Sequence, residues 1–169
     1  MYQTIIYSSP IGSLLLAAEK EQLKGLWIEG QKYWAATLPD CCEQRETPLL
    51  TAASRWLDSY FAGERPDPNL ISLAPSGSAF RQMVWNILLE IPYGKVVTYR
   101  DIARKAAQQL GRQSMSAQAV GGAVGHNPIS IIIPCHRVIG SDHSLTGYAG
   151  GLEKKRWLLE LEGADIEQI

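Results

Sequence analysis

What this sequence lacks narrows it first. It has three cysteines, an odd number, and the adjacent Cys41 and Cys42 cannot readily pair with each other. A disulfide framework is therefore excluded, and the expected setting is a reducing, cytoplasmic one. Histidine is equally sparse, with none before His126. Without a Cys-x-x-Cys or His-x-x-x-His pair, zinc is a poor reading and no metal is expected. No run reaches the roughly 18 apolar residues of a membrane span, and Met1-Tyr2-Gln3-Thr4 does not open a signal peptide. Repeats and low-complexity segments are missing as well. What is present is a chain of 169 residues, 46% apolar and 20% charged, long enough to bury a core without staples.

The net charge of −1 conceals an asymmetry. Residues 1–79 hold six Lys and Arg against nine Asp and Glu, whereas residues 81–158 hold ten against four. The second half offers a phosphate-rich partner a place to dock, although a solvated basic face gives the same pattern.

Residues 2–8, 13–18 and 23–29 read as three strands of a meander, separated by Ser9-Pro10-Ile11-Gly12 and a polar turn. Thr47 and Pro48 suit the N-cap and first position of a helix that buries Leu49, Ala52, Ala53, Trp56, Leu57 and Tyr60. These elements make an α/β scaffold over residues 1–72, followed by a Pro-rich connector. A mostly helical module follows over residues 78–169, and the whole is α+β. Its first helix, through Phe80, Val84, Ile87 and Leu88, stops at Pro92-Tyr93-Gly94. Thr98-Tyr99-Arg100-Asp101 has the spacing of a capping box opening a second helix. Gly111 breaks that helix, and Ser114 or Ser116 caps a third, rich in small residues. Two helices joined by a tight polar turn read as a helix-turn-helix. Ile131-Ile132-Ile133 then reads as a buried strand delivering Pro134-Cys135-His136-Arg137-Val138, and a last helix runs through Trp157, Leu158 and Leu161.

Cys135 stands apart from the other thiols. A buried thiol is ordinarily inert, but an adjacent cation lowers its pKa and populates the nucleophilic thiolate. Here a turn, a strand and two basic neighbours converge on one sulfur. On an extended strand His136 would point away from Cys135, so it would act after a bend or through a bridging water.

Asn127-Pro128, Ile133-Pro134-Cys135-His136-Arg137-Val138-Ile139 and Thr146-Gly147-Tyr148-Ala149-Gly150-Gly151 resemble the active-site signature of the O6-alkylguanine-DNA alkyltransferases, also called methylated-DNA–protein-cysteine methyltransferases. Pro92-Tyr93-Gly94, Val97-Thr98-Tyr99 and Ala119-Val120-Gly121-Gly122-Ala123 are similar to that family's helix-turn-helix. The resemblance is dense over residues 79–163 and thinner before.

The resemblance implies a ribonuclease H-like first module and a winged-helix-like second one. It also implies irreversible, single-turnover transfer of an alkyl group from O6-alkylguanine, and from O4-alkylthymine, to Cys135, as DNA repair without a cofactor. His136 would act as general base through a water, with Glu162 orienting it, the logic of a hydrolase triad applied to a thiol. Asn127 would hold the turn, and Tyr99 would donate toward the base. Tyr148, Ala149, Gly150, Val138 and Ser130 would line the base pocket. Thr98, Arg100, Arg137, Ala117, Gln118, Ala119, Gly121 and Gly122 would contact double-stranded DNA, with the third helix in the minor groove and the damaged base flipped out of a monomer's duplex. Small residues let a helix come close to the groove, but Gly121-Gly122 also suits close packing between helices.

Gln118 departs from the pattern, because the family commonly has an arginine there to fill the space left by the base. Duplex binding should therefore be weaker, and Gln118→Arg should raise affinity for lesion DNA. His143 stands where glycine is frequent. A cysteine hydrolase would share the Cys–His pair but would turn over. A transcriptional regulator would need only the helix-turn-helix.

Overall fold

Alternating apolar residues and two tight turns fold residues 2–28 into a three-stranded meander, which a fourth short strand completes. The computed structural model describes residues 1–166. Strands β1 (Tyr2–Ser9), β2 (Gly12–Glu19), β3 (Gln22–Ile28) and β4 (Cys42–Gln44) form one sheet in the order β3-β2-β1-β4. All neighbours are antiparallel except β1 and β4. The strand at Cys42–Gln44 goes beyond the sequence reading, which gave three. At three residues it is too short to show a period.

Helix α1 (Pro48–Phe61) packs on this sheet, and the Thr47 hydroxyl caps it by accepting from Leu50 N at 3.3 Å. Its buried face is Leu50, Ala53, Trp56, Leu57 and Tyr60. Leu50 takes the place expected of Leu49, and Ala52 is exposed. This first unit spans Met1–Ser76 and takes in Pro128–Ser130.

The second unit comprises Gly77–Asn127 and the chain from Ile131 on. Helices α2 (Ala79–Leu89), α3 (Tyr99–Leu110) and α4 (Ala117–Gly125) pack on one another, and Trp85 Nε1 of α2 donates to Ala123 O of α4 at 2.8 Å. Strand β5 (Val97–Thr98) pairs in parallel with β6 (Val138–Ile139), and α5 (Leu152–Leu161) closes the described chain. Both halves of the capping box form: Thr98 Oγ1 accepts from Asp101 N, and Asp101 Oδ2 accepts from Thr98 N. Gly111 ends α3 at φ +65°, the left-handed conformation glycine adopts freely. Ser116 is the cap of α4. Among the described residues no helix is long and apolar enough to cross a membrane.

The expected strand at residues 131–133 is a turn. Ile131, Ile132 and Ile133 are buried as anticipated, but Ile131 sits at φ +72°. A β-branched residue pays about 1–3 kcal/mol for that conformation. The turn leads directly into a 3₁₀ turn, Cys135–Arg137.

Candidate active site

The 3₁₀ turn places three consecutive functional side chains about 120° apart rather than on opposite faces of a strand. Cys135 is 5% exposed and His136 is fully buried. His136 Nε2 lies 2.6 Å from Glu162 Oε2, at the C-terminal cap of α5. Arg137 donates to the same carboxylate twice, from Nε to Oε1 at 2.8 Å and from Nη2 to Oε2 at 3.1 Å. Its Nη1 donates to Ile91 O at 2.8 Å, and its guanidinium lies over the Tyr93 ring. Gly94 N completes the carboxylate's shell at 3.2 Å. A side chain at Gly94 would come within 2.9 Å of Glu162 O, and its φ of +77° also favours glycine.

Burial pushes the Glu162 carboxyl up, but the hydrogen bonds and charges of His136 and Arg137 outweigh it and hold it well below the usual range. Glu162 is thus an anion that can only accept. The His136 proton is thereby assigned to Nε2, leaving Nδ1 with a lone pair. Burial lowers the His136 pKa despite the carboxylate, so the ring is neutral at rest. Its Nδ1 makes no hydrogen bond to the described residues.

The thiol departs from expectation. Burial raises the Cys135 pKa, and the bond from Asn127 and the field of Lys155 offset this only in part. Cys135 rests as a neutral thiol. Adjacency in sequence misled here, because Arg137 spends its charge on Glu162 and His136 is uncharged. Arg137, expected among the DNA contacts, is tied inward for the same reason.

Asn127 is buried, and its Nδ2 donates to Ile133 O at 2.9 Å, bracing the turn that contains Ile131. The Tyr99 hydroxyl shares its one proton between Gly147 O at 3.1 Å and Thr146 O at 3.3 Å. Burial first, then the Cys135 sulfur, pushes that phenol up to about 12, so it keeps its proton. Tyr148 is half-buried with its hydroxyl shielded from solvent, and Ala149 and Gly150 are half-buried beside it in the chain. Val138 is buried, and its carbonyl accepts from Lys155 Nζ. Ser130 belongs to the first unit, where its hydroxyl donates to Gln31 Oε1 at 3.3 Å.

On α4, Ala117, Gln118, Ala119 and Gly122 are exposed and Gly121 is half-buried. A side chain built at Gly121 or Gly122 would meet nothing within 4 Å, so packing inside the chain does not require these glycines. Thr98 is half-buried at its cap and Arg100 is exposed. His143 sits at φ +64°, the left-handed conformation that favours glycine at such a turn position. Among the described residues no three His, Cys, Asp or Glu side chains converge as a metal site would need.

Sequence reading passed over one residue of the site, Lys155. It is fully buried, although it sits in the charged run Glu153-Lys154-Lys155-Arg156. The signal was its register, three residues before Leu158 and four before Leu159 on the buried face of α5.

Residues 79–164 match the family described as 6-O-methylguanine DNA methyltransferase, DNA binding domain, and residues 1–75 match its ribonuclease-like domain. A methylated-DNA–protein-cysteine methyltransferase of Methanosarcina acetivorans is 46% identical over 160 residues, covering 94% of this chain and 97% of that one. The Haemophilus influenzae protein of the same name is 43% identical over 156 residues, covering 92% and 83%. Among solved structures, Mycobacterium tuberculosis OGT in complex with DNA has a TM-score of 0.78 at 40% identity, covering 99% of this chain and 97% of that one. The α+β fold, with an N-terminal sheet and a helical second module, is the one these relatives share.

Proposed function

We propose, on the premise that this chain belongs to the 6-O-methylguanine DNA methyltransferase family, that it repairs double-stranded DNA by moving an alkyl group from O6 of guanine onto its own Cys135. The observation that carries this reading is the pairing of a neutral thiol with a neutral imidazole whose outer nitrogen is committed to an anionic carboxylate. That tautomer leaves Nδ1 as the one ring atom able to take a proton.

The thiol proton passes to His136 Nδ1 through a bridging water, and Glu162 stabilises the imidazolium. The sulfur attacks the alkyl carbon, forming the S–C bond as the C–O6 bond breaks with its electron pair leaving on the base. The proton held by His136 returns to the guanine. Tyr99, which keeps its proton, donates toward the base once it lets go of the Thr146 and Gly147 carbonyls. The sum replaces the thiol hydrogen by an alkyl group and the alkyl group on guanine by hydrogen. The product is a thioether, which water does not cleave, so each molecule acts once. O4-alkylthymine offers the same alkyl–oxygen bond and is a second substrate.

A base stacked in a duplex cannot reach the sulfur of a residue that is 5% exposed, so the nucleotide must be flipped out at a cost of a few kcal/mol. The open space before Gly121 and Gly122 lets α4 approach the minor groove closely. Exposed cations of the second unit, Arg100 among them, supply affinity that does not depend on sequence. A monomer suffices.

The test is peptide mass spectrometry after mixing the protein with a duplex carrying O6-methylguanine. One methyl per protein, on the Cys135 peptide and absent in Cys135→Ser, is expected. A methyl on another residue, or more than one lesion repaired per protein, would overturn the proposal.

A further inference from the structure

Alkyl transfer as described leaves one buried charged group of the site without a task. Lys155 is 0% exposed, and its Nζ donates to the carbonyls of Val138, Thr146 (3.0 Å) and Gly147 (3.4 Å). A lysine ammonium has three donors, so all are engaged and the head is fixed. The acceptors come from two segments, β6 directly after the Cys135–Arg137 turn and the loop between Gly140 and Gly151. The Tyr99 hydroxyl holds two of the same carbonyls, Thr146 and Gly147. None of these partners carries a charge. Burying an ammonium against dipoles alone is unfavourable, and a methionine would fill this helix face at lower cost. The charge that could balance it is the one Cys135 acquires on losing its proton.

We propose that Lys155 is a positioning residue for alkyl transfer: its ammonium fastens the 140–151 loop to the strand leaving Cys135 and supplies the positive charge against which the Cys135 thiolate forms. The inference rests on the reading of Cys135 as the alkyl acceptor. Lys155 keeps its proton throughout, and the thiol proton still goes to His136. The titratable groups in its field are Cys135 and His136, with Tyr99 on the shared carbonyls and the Glu162–Arg137 pair behind His136. Arg137 is neutralised by Glu162, so among the described residues Lys155 is the cation left to act on the sulfur. Burial lowers the Lys155 ammonium to about 8, while the Cys135 sulfur pulls it back up. Its charge is therefore in place at neutral pH and fades as the solution turns alkaline.

The experiment follows methylation of Cys135 by methyl iodide, read by peptide mass spectrometry from pH 6 to 10, in the wild type, Lys155→Met and Lys155→Arg. Lys155→Met should react about tenfold more slowly at pH 7, where the wild-type ammonium is in place, and the difference should close above about pH 8 as that ammonium loses its proton. Lys155→Arg keeps its charge at every pH in the range and should restore the dependence on charge near pH 7, whatever its bulk does to the absolute rate. A Lys155→Met loss of the same size at every pH would overturn the proposal. Should Lys155→Met fail to fold, NMR titration of isotope-labelled lysine in the wild type and in Cys135→Ser decides. Lys155 should lose its proton at lower pH once the thiol is gone, and an unchanged titration overturns the assignment. Methyl iodide needs no DNA, so a pH-dependent loss in Lys155→Met without transfer from a lesion duplex would uphold Lys155 and refute the repair reading.

Discussion

The last helix carries two buried charges seven residues apart, hence on one face, and the protein surrounds them in opposite ways. Glu162 is saturated: His136, two nitrogens of Arg137 and Gly94 N all converge on its two oxygens. Among the described residues Lys155 donates to neutral carbonyls alone. The anion is balanced at rest, so it can hold a tautomer and a ring orientation without changing itself. The cation is balanced only when the sulfur ionises. One end of the site is finished before substrate arrives, and the other is completed by the reaction.

The sharpest way to break this contrast is to remove each charge in turn. Glu162→Ala strands a buried guanidinium and an imidazole, and should cost about 3–5 kcal/mol of stability. Lys155→Met removes a cation with no ionic partner among the described residues and fills the space with an apolar chain, so its cost should be much smaller. Denaturant midpoints compare the two, and equal losses would show that Lys155 is as firmly compensated as Glu162.

Acid and alkali should separate the same two sides. Glu162 has a folded-state pKa below its unfolded value near ~4.3, so the stability it contributes is present above that pH and lost as the pH falls. The His136 pKa is also lowered by folding, so its contribution is lost below its unfolded value near ~6.5. The two add. On the alkaline side Lys155, at about 8 against an unfolded ~10.4, gains stability as pH rises between those values. Cys135, pushed up by burial, loses stability as pH rises through its unfolded ~8.5, and the two oppose. Tm measured against pH should therefore fall steeply below about pH 6.5 and stay comparatively flat between about pH 8 and 10. An alkaline limb as steep as the acid one would mean that sulfur and ammonium do not offset each other.

A smaller effect should follow from Asn127→Ala, which removes one of the two donors to the buried Ile133 carbonyl, leaving Cys135 N at 2.8 Å, and loosens a turn strained at Ile131. A loss of about 0.5–1.5 kcal/mol is expected by denaturation. The Cys135 thiol should also ionise at still higher pH, because the bond from Asn127 is one of the two main influences lowering it.

Local chemistry was legible in the sequence and compensation was not. The Thr47, Thr98 and Asp101 caps and the Gly111 stop depend on a few neighbouring residues, and each appears where its spacing puts it. The small-residue helix and the Pro134-Cys135-His136-Arg137-Val138 segment were legible as motifs, though not the turn that carries the cysteine, and the comparisons place the chain in the family those motifs suggested. The backbone at Ile131 was hidden, because an isoleucine gives no local sign that tertiary packing will force it to positive φ. The charge state of Cys135 was hidden for a related reason. Sequence shows that Arg137 is adjacent, but not that Glu162, 25 residues away, has already claimed it. Lys155 was masked by its charged neighbours, although its phase with Leu158 and Leu159 put it inside.

The smallest test concerns the loop that Lys155 and Tyr99 fasten. His143 sits exposed at φ +64°, a conformation that a residue with a side chain adopts at a cost of roughly 1–2 kcal/mol. Glycine adopts it freely but gives up more chain entropy on folding, so His143→Gly should gain only about 0.5–1 kcal/mol, a rise of about 1–4 °C in Tm. The turn itself should persist, since His143 N donates to Gly140 O at 2.8 Å and Ser144 N and Oγ both donate to Asp142 Oδ1. Asp101 is held below its usual range chiefly by its hydrogen bonds with Thr98 and Asp142 by those from Ser144, and His143 is the smallest influence on each. A fall in Tm would mean that contacts of the His143 side chain outweigh the backbone strain.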